Sequence, residues 1–249
     1  MPEYKFKNPK GELIGEIKSE DQKLYIYGDI VGDQWSKWMK DETCPQDVVD
    51  IFAGFDKDKP VDVYINSGGG DVFGALAICS IIKRHAGETV AHIDGVAASA
   101  ASVIACGCDK IIMPEYAQMM IHKPWTLAYG NTDDLKKACD MLDTAEDSIV
   151  EIYKSKLVES KTEKQLRNAL AAETWLTGKT AGDYFTVEVE EGAEPAAAAT
   201  SDFYARYKNR PDPADQPQDP VDNKTSETDN TALMSVFESF ISNRMKRRV

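Results

Sequence analysis

Asp94-Gly95-Val96-Ala97-Ala98-Ser99-Ala100-Ala101-Ser102 is the stretch on which the reading of this chain turns. The segment before it, Glu88 to Asp94, alternates as a strand does, and the small residues from Gly95 onward let the backbone turn tightly and a following helix pack closely. Ser99 then stands at a helix N-terminus. Free backbone N–H groups and the positive end of the helix dipole favour negative charge there, and the N–H of Ala100 is a natural donor to an oxyanion. A serine hydroxyl is a poor nucleophile at neutral pH, so it needs a base within hydrogen-bond reach as well as such donors. The same residues also suit a tightly packed buried helix with no chemistry.

A second glycine segment bears on that choice. Val61 to Ser67 reads as a buried strand running into Gly68-Gly69-Gly70, with an amphipathic helix from Ala75 to Arg84 behind it. Three glycines allow positive φ and close backbone approach, which suits a phosphate cradle or a second oxyanion donor. The Gly-Lys-Ser/Thr ending of a P-loop and the spacing of a dinucleotide fingerprint are both missing. Three histidines compete for the role of base. His85 ends a helix beside Lys83 and Arg84, where capping is ordinary, and His92 lies along a strand; His122 ends a short strand from Gln118 and is followed by Lys123-Pro124, which stops regular structure. Strand ends are where catalytic side chains project in open α/β sheets. Ser102, one turn inside the helix, is expected to be a packing hydroxyl rather than the nucleophile.

Ile65-Asn66-Ser67-Gly68-Gly69-Gly70, then Gly95 to Ser99, then Met120-Ile121-His122-Lys123-Pro124 resemble, in order and spacing, the three signature segments of the ClpP-type serine peptidases. The resemblance spans roughly Leu24 to Val189. It implies Ser99 as nucleophile, His122 as general base, and oxyanion N–H groups from Gly70 (or its neighbour Gly69) and Ala100. This chain departs from the family in having Gly68 for a proline and Val96 for a glutamine or methionine, neither a catalytic side chain. The family's aspartate aligns with Glu173 in Ala172-Glu173-Thr174-Trp175-Leu176-Thr177, so Glu173 takes the orienting role, with Asp94 and Asp143 as other acids to test. A helix-capping or solvated carboxylate is the alternative for Glu173.

The implied fold is α/β: a crotonase-like (ClpP-type) repeated ββα spiral with a projecting handle helix and a partly disordered C-terminal tail. Strand and helix alternate in the sequence to about Val189, through Leu24–Tyr27, a helix near Pro45 to Phe55, and strands near Lys110 to Met113. Leu135, Ala138, Cys139, Leu142, Ala145, Ile149, Ile152 and Tyr153 recur at helical spacing, predicting one helix from Thr132 to about Ser160. In the family this helix joins two rings, which implies a ring-forming homo-oligomer. The peptidase domain is therefore residues 1–189. Residues 190–230 are an acidic Pro/Ala-rich linker with a short helix at 201–210, and 231–249 form an amphipathic C-terminal helix carrying Leu233, Val236, Phe237, Phe240 and Ile241.

Composition narrows the function classes. A formal charge of −13 repels nucleic acid and acidic membranes, and no apolar run approaches the length of a membrane span. The charged N-terminus lacks an apolar signal core, so a cytoplasmic location is expected, in a bacterium or phage-infected host, including the prohead. Five cysteines form neither a metal-binding spacing nor an even disulfide set and are expected to be reduced and mostly buried. No cofactor and no metal are expected. The reading is a serine endopeptidase acting on proteins or peptides; the added tail and the Glu173-Thr174-Trp175 segment resemble phage-encoded members of the ClpP-type family, and that resemblance implies phage capsid maturation, cutting scaffold or capsid protein, as the preferred setting. A degradative peptidase working with a separate ATPase is the alternative, since the chain carries no ATPase motif. A crotonase-type acyl-CoA hydratase or isomerase and an inactive assembly scaffold are the readings from other classes.

Overall fold

The computed structural model describes residues 3–7, 13–18, 22–37, 42–191 and 207–209. Strands β1 (Glu3–Lys7) and β2 (Leu13–Lys18) form an antiparallel pair. The main sheet runs β3 (Lys23–Tyr27), β4 (Val61–Ser67), β5 (Thr89–Ala98), β6 (Lys110–Pro114), with all neighbours parallel, and ends on β9 (Glu188–Glu190) beyond β6. Parallel neighbours need crossover connections, and α1 (Pro45–Phe52), α2 (Val72–Ile82) and α3 (Ala100–Gly107) lie in them. On β4 the residues Val61, Val63, Ile65 and Ser67 are buried and the intervening ones are not, so one face of the sheet carries the core. Ile78 and Ile82 of α2 and Ile104 of α3 join Val63, Ile65 and Ile93 in it.

Strand β5 has two partners in succession. Val90 to His92 pair with β6, whereas Val96 to Ala98 pair with β7 (Gln118–Ile121). Against β4 the register jumps from Ile65↔Ile93 to Ser67↔Ala97, so β5 carries extra residues around Gly95 where it bends from one partner to the other. β7 pairs antiparallel with β8 (Thr174–Thr177), which makes a branch off the main sheet. The small residues after Asp94 therefore continue the strand to Ala98; the expected turn is confined to Ser99 itself.

The expected helices form with different ends. The predicted 45–55 helix stops at Phe52, and the predicted 75–84 helix is α2, which starts at Val72 because the Asp71 side chain accepts the Gly74 N–H at 2.6 Å. The long helix α4 covers Thr132–Lys154, not 132–160; Leu157 then bridges to Phe185, and Thr162 caps a separate helix, α5 (Glu163–Ala171). The first half of α4 is largely exposed, including Leu135 and Met141, while Ala145, Ile149, Val150 and Tyr153 in its second half are buried. A short helix, α6 (Gly178–Ala181), follows β8. The linker and short-helix reading of 190–230 falls largely outside the described residues; Tyr207–Asn209 form a bend, with Tyr207 buried. The 231–249 helix lies wholly outside them.

Tyr153 ties α4 to the start of α3 through a buried 2.7 Å hydrogen bond between its hydroxyl and Ser102 Oγ. Tyr153→Phe is expected to lower unfolding free energy in urea by about 1 kcal/mol, the usual net worth of one buried hydrogen bond.

Candidate active site

Strand register alone gathers the candidate residues. Ala98 pairs with Met120 on the parallel strand β7, so Ser99 and His122 both leave the same end of neighbouring strands. Ile121 pairs with Thr174 on β8, and one register step further places Glu173 opposite His122. The residues just past the ends of β5 and β7, and just before β8, thus converge from positions up to 74 apart in the chain.

Ser99 is held at φ 54°, ψ −122° between β5 and α3. Only glycine adopts that conformation freely, and a serine there costs on the order of 1–3 kcal/mol, so the surroundings must impose it. They do so with backbone bonds: Ser99 N donates to Met120 O at 2.8 Å, and the Ser99 carbonyl accepts from Ser102 N at 3.0 Å and Ser102 Oγ at 2.7 Å. The result is a sharp strand-to-helix turn that presents the hydroxyl. Ser99 Oγ and His122 Nε2 are 2.7 Å apart. Burial pushes the His122 imidazole below its ordinary value, and the Glu173 charge pulls it partly back up. A neutral imidazole on a hydroxyl is the arrangement a base-assisted nucleophile requires.

Glu173 sits just beyond the C-terminal cap of α5, with φ at 51°. Glycine or asparagine is the usual residue at such a left-handed helix end, so a glutamate there is strained. Among the described residues, Gln22, Ser99 and Glu173 are the non-glycine positions with positive φ, and two of the three face this site. Glu173 Oε1 accepts the Asn209 N–H at 2.7 Å; the carboxylate acts on His122 through its charge. The Asn209 side-chain amide also donates to Ala172 O at 2.9 Å.

The glycine turn abuts the serine. A Cβ on Gly69 would lie 2.6 Å from Ala98 O and 2.8 Å from Ser99 Cβ, and the φ of +99° also requires glycine. Gly70 is pressed as closely on Ile30, where a Cβ would stand 2.1 Å from its carbonyl oxygen. Gly69 N–H donates to Ser67 Oγ at 3.1 Å. Among the described residues the N–H groups of Gly70 and Ala100 make no hydrogen bond.

The other sequence candidates lie elsewhere. His85 bonds Lys59 O at 2.7 Å, and His92 bonds Asp62 at 2.9 Å while stacking on Tyr64. Asp94 accepts from the Tyr27 hydroxyl, and Asp143 is exposed on α4. Ser102 is fully buried, consistent with a packing hydroxyl. Cys44, Cys79, Cys106 and Cys108 are buried and free, the Cys79 thiol being pushed up to about 12 by burial, and Cys139 is exposed. No group of side chains that would hold a metal occurs among the described residues, and no helix there is long and apolar enough to cross a membrane. Tyr207 and Asn209 join the site without a motif to announce them: they lie between two acid- and proline-rich stretches, in a short segment where Phe203, Tyr204 and Tyr207 are equally aromatic and nothing singles out Tyr207.

Parts of the chain are similar to known proteins. ATP-dependent Clp protease proteolytic subunit 3 of Rhodococcus jostii is 28% identical over 167 residues, 66% of this chain and 81% of that protein. The ATP-dependent Clp protease proteolytic subunit of Nephroselmis olivacea is 28% identical over 135 residues, 53% of this chain and 62% of that one. An uncharacterized protein of Methanocaldococcus jannaschii is 43% identical over 61 residues, 24% of this chain and 21% of that protein. The chain therefore spans less than two thirds of the last two relatives. A family model described as Clp protease matches residues 37–188, more than half of the chain, and takes in the glycine turn, Ser99, His122 and Glu173. The chain belongs to the Clp protease family.

Proposed function

We propose that this protein is a serine endopeptidase that cleaves peptide bonds through an acyl-enzyme on Ser99. The observation that carries the reading is the 2.7 Å contact between Ser99 Oγ and His122 Nε2 at the N-terminus of α3. Ser99 Oγ attacks the scissile carbonyl carbon as His122 Nε2 takes its proton. The oxyanion is received by the Ala100 N–H and, because the Gly69 N–H is spent on Ser67 Oγ, by that of Gly70. Collapse breaks the C–N bond, His122 returns the proton to the leaving amine, and water activated by the same imidazole hydrolyses the ester. Glu173 stabilises the imidazolium that forms in each step. A hydratase or isomerase of crotonase type needs carboxylates at the reacting carbon, whereas here a hydroxyl–imidazole pair stands there.

The substrates on this reading are proteins or peptides, and the assembly is a ring of identical subunits. The exposed first half of α4, with Leu135 and Met141 open to solvent, supports a projecting handle. Phage capsid maturation is the preferred setting, on the Glu173-Thr174-Trp175 segment and the long acidic tail. Work beside a separate ATPase is the other setting, favoured by the relatives being named ATP-dependent Clp protease subunits. Portal, scaffold and capsid genes on either side would decide for maturation; an adjacent unfoldase gene would decide for the other.

A fluorophosphonate probe is expected to label the wild type and not Ser99→Ala; labelling that persists in the variant would sink the assignment of Ser99. In a pH series of kcat/KM, the acidic limb should fall below the ordinary imidazole range near 6.5, because the base must be neutral and burial lowers the His122 value. Glu173→Gln removes the charge that raises it, so that limb should move still lower while turnover drops by about a hundredfold or more. Glu173→Gly relieves the left-handed backbone and loses the bond from Asn209, so unfolding free energy should stay within about 1 kcal/mol of wild type while cleavage is lost. Normal cleavage by either Glu173 variant would move the orienting role to another acid.

A further inference from the structure

The chain returns to the site after the last strand of the sheet. Tyr207 is buried against Val96, Ala98 and Met120, with Trp175 packed on the same cluster. Its hydroxyl donates to the carbonyl of Gly68, the first residue of the glycine turn. Its ring meets His122 edge-on, centroids 5.3 Å apart at 76°, and meets Trp175 at 6.0 Å. Two residues on, Asn209 gives its backbone N–H to Glu173 Oε1 and its side-chain amide to Ala172 O. We propose that Tyr207 and Asn209 are positioning residues, forming a strap that joins the glycine turn to the acid loop and holds both around His122.

Each anchor has a separate task. The Tyr207 ring covers one flank of His122 and keeps water from it. Burial is the main influence lowering the imidazole and Glu173 is the charged group that opposes it; the Ser99 hydroxyl and the Tyr207 ring also face it. Asn209 restrains a carboxylate that is one methylene longer than an aspartate and has correspondingly more rotamers to lose. A short donor at 2.7 Å on Oε1 supplies the hold that the longer side chain needs. The strap thereby accounts for a glutamate serving where the family has an aspartate.

The rate consequences rest on the peptidase reading, but the imidazole itself reports independently. With three histidines in the chain, His122 can be followed by NMR titration in the full-length protein. Tyr207→Ala is expected to raise the His122 midpoint by about half a unit to one unit, leaving His85 and His92 in place, and to move the acidic limb of kcat/KM up equally. Asn209→Pro deletes both donors and leaves Tyr207; it should lower kcat by about ten- to a hundredfold, an effect that disappears when combined with Glu173→Gln. Tyr207→Phe, which keeps the ring, should preserve the His122 midpoint, and Asn209→Pro carries the test if Tyr207→Ala does not fold. An unmoved His122 midpoint in Tyr207→Ala, or an Asn209→Pro loss that adds to that of Glu173→Gln, would overturn the proposal. So would faster cleavage in Tyr207→Ala, which would make the segment a plug. If the wild type cleaves no peptide, the proposed function fails while the titration still tests the strap.

Discussion

The backbone hydrogen bonds of β5 are the constraint on which the site depends. A buried strand must satisfy its N–H and C=O groups along its whole length, and β5 does so with β4 on one side and with two successive strands on the other. The handover from β6 to β7 needs a bend, and Gly95 with its small neighbours provides it. Because β7 enters beside the last three residues of β5, the chain just past both strands emerges together. Ser99 and His122 are neighbours for that reason, and the antiparallel pairing of β8 with β7 adds Glu173 to the same end.

Strain is concentrated where the chemistry is proposed. Ser99 and Glu173 occupy backbone conformations that side-chain-bearing residues rarely adopt, and each is held by its surroundings. The Ser99 turn is clamped from β7 through Met120 and from α4 through the Ser102–Tyr153 bond. Glu173 is held by the end of α5 and by Asn209. The largely apolar core of parallel strands and α2, α3 and α4 supplies the stability that such positions subtract. Gly69 shows the same economy of space: its missing Cβ is what lets the glycine turn touch the serine.

Much of the fold is legible in the amino-acid order. Period-two burial on β4 and the first half of β5 reflects a sheet with one buried face, which alternation reports directly. Helical periodicity identifies α4, and its last apolar position, Tyr153, falls one residue before the observed end at Lys154; the expected extension to Ser160 fails because the chain turns there and Leu157 bridges to Phe185. The expected start of α2 falls late because the Asp71 cap brings Val72, Phe73 and Gly74 into the first turn. Strand β8 leaves little trace, since four residues beside a helix carry too short a pattern to read. Tyr207 lies 139 residues from Gly68 in the chain and in no periodic segment, so its contact leaves no local signal.

Local chemistry follows from short stretches of sequence: a serine set in small residues before a helix, a run of glycines after a buried strand, and a histidine at a strand end. Those are properties of φ, ψ and neighbouring side chains, which act over a few residues. Which histidine meets the serine, which glycine touches it, which N–H groups stay unpaired among the described residues, and where Glu173 and Asn209 stand are decided by the assembled chain. These depend on strand register and on the path of a distant segment, and hydrogen-bond pairing between elements far apart in the chain is set only when the whole sheet is assembled.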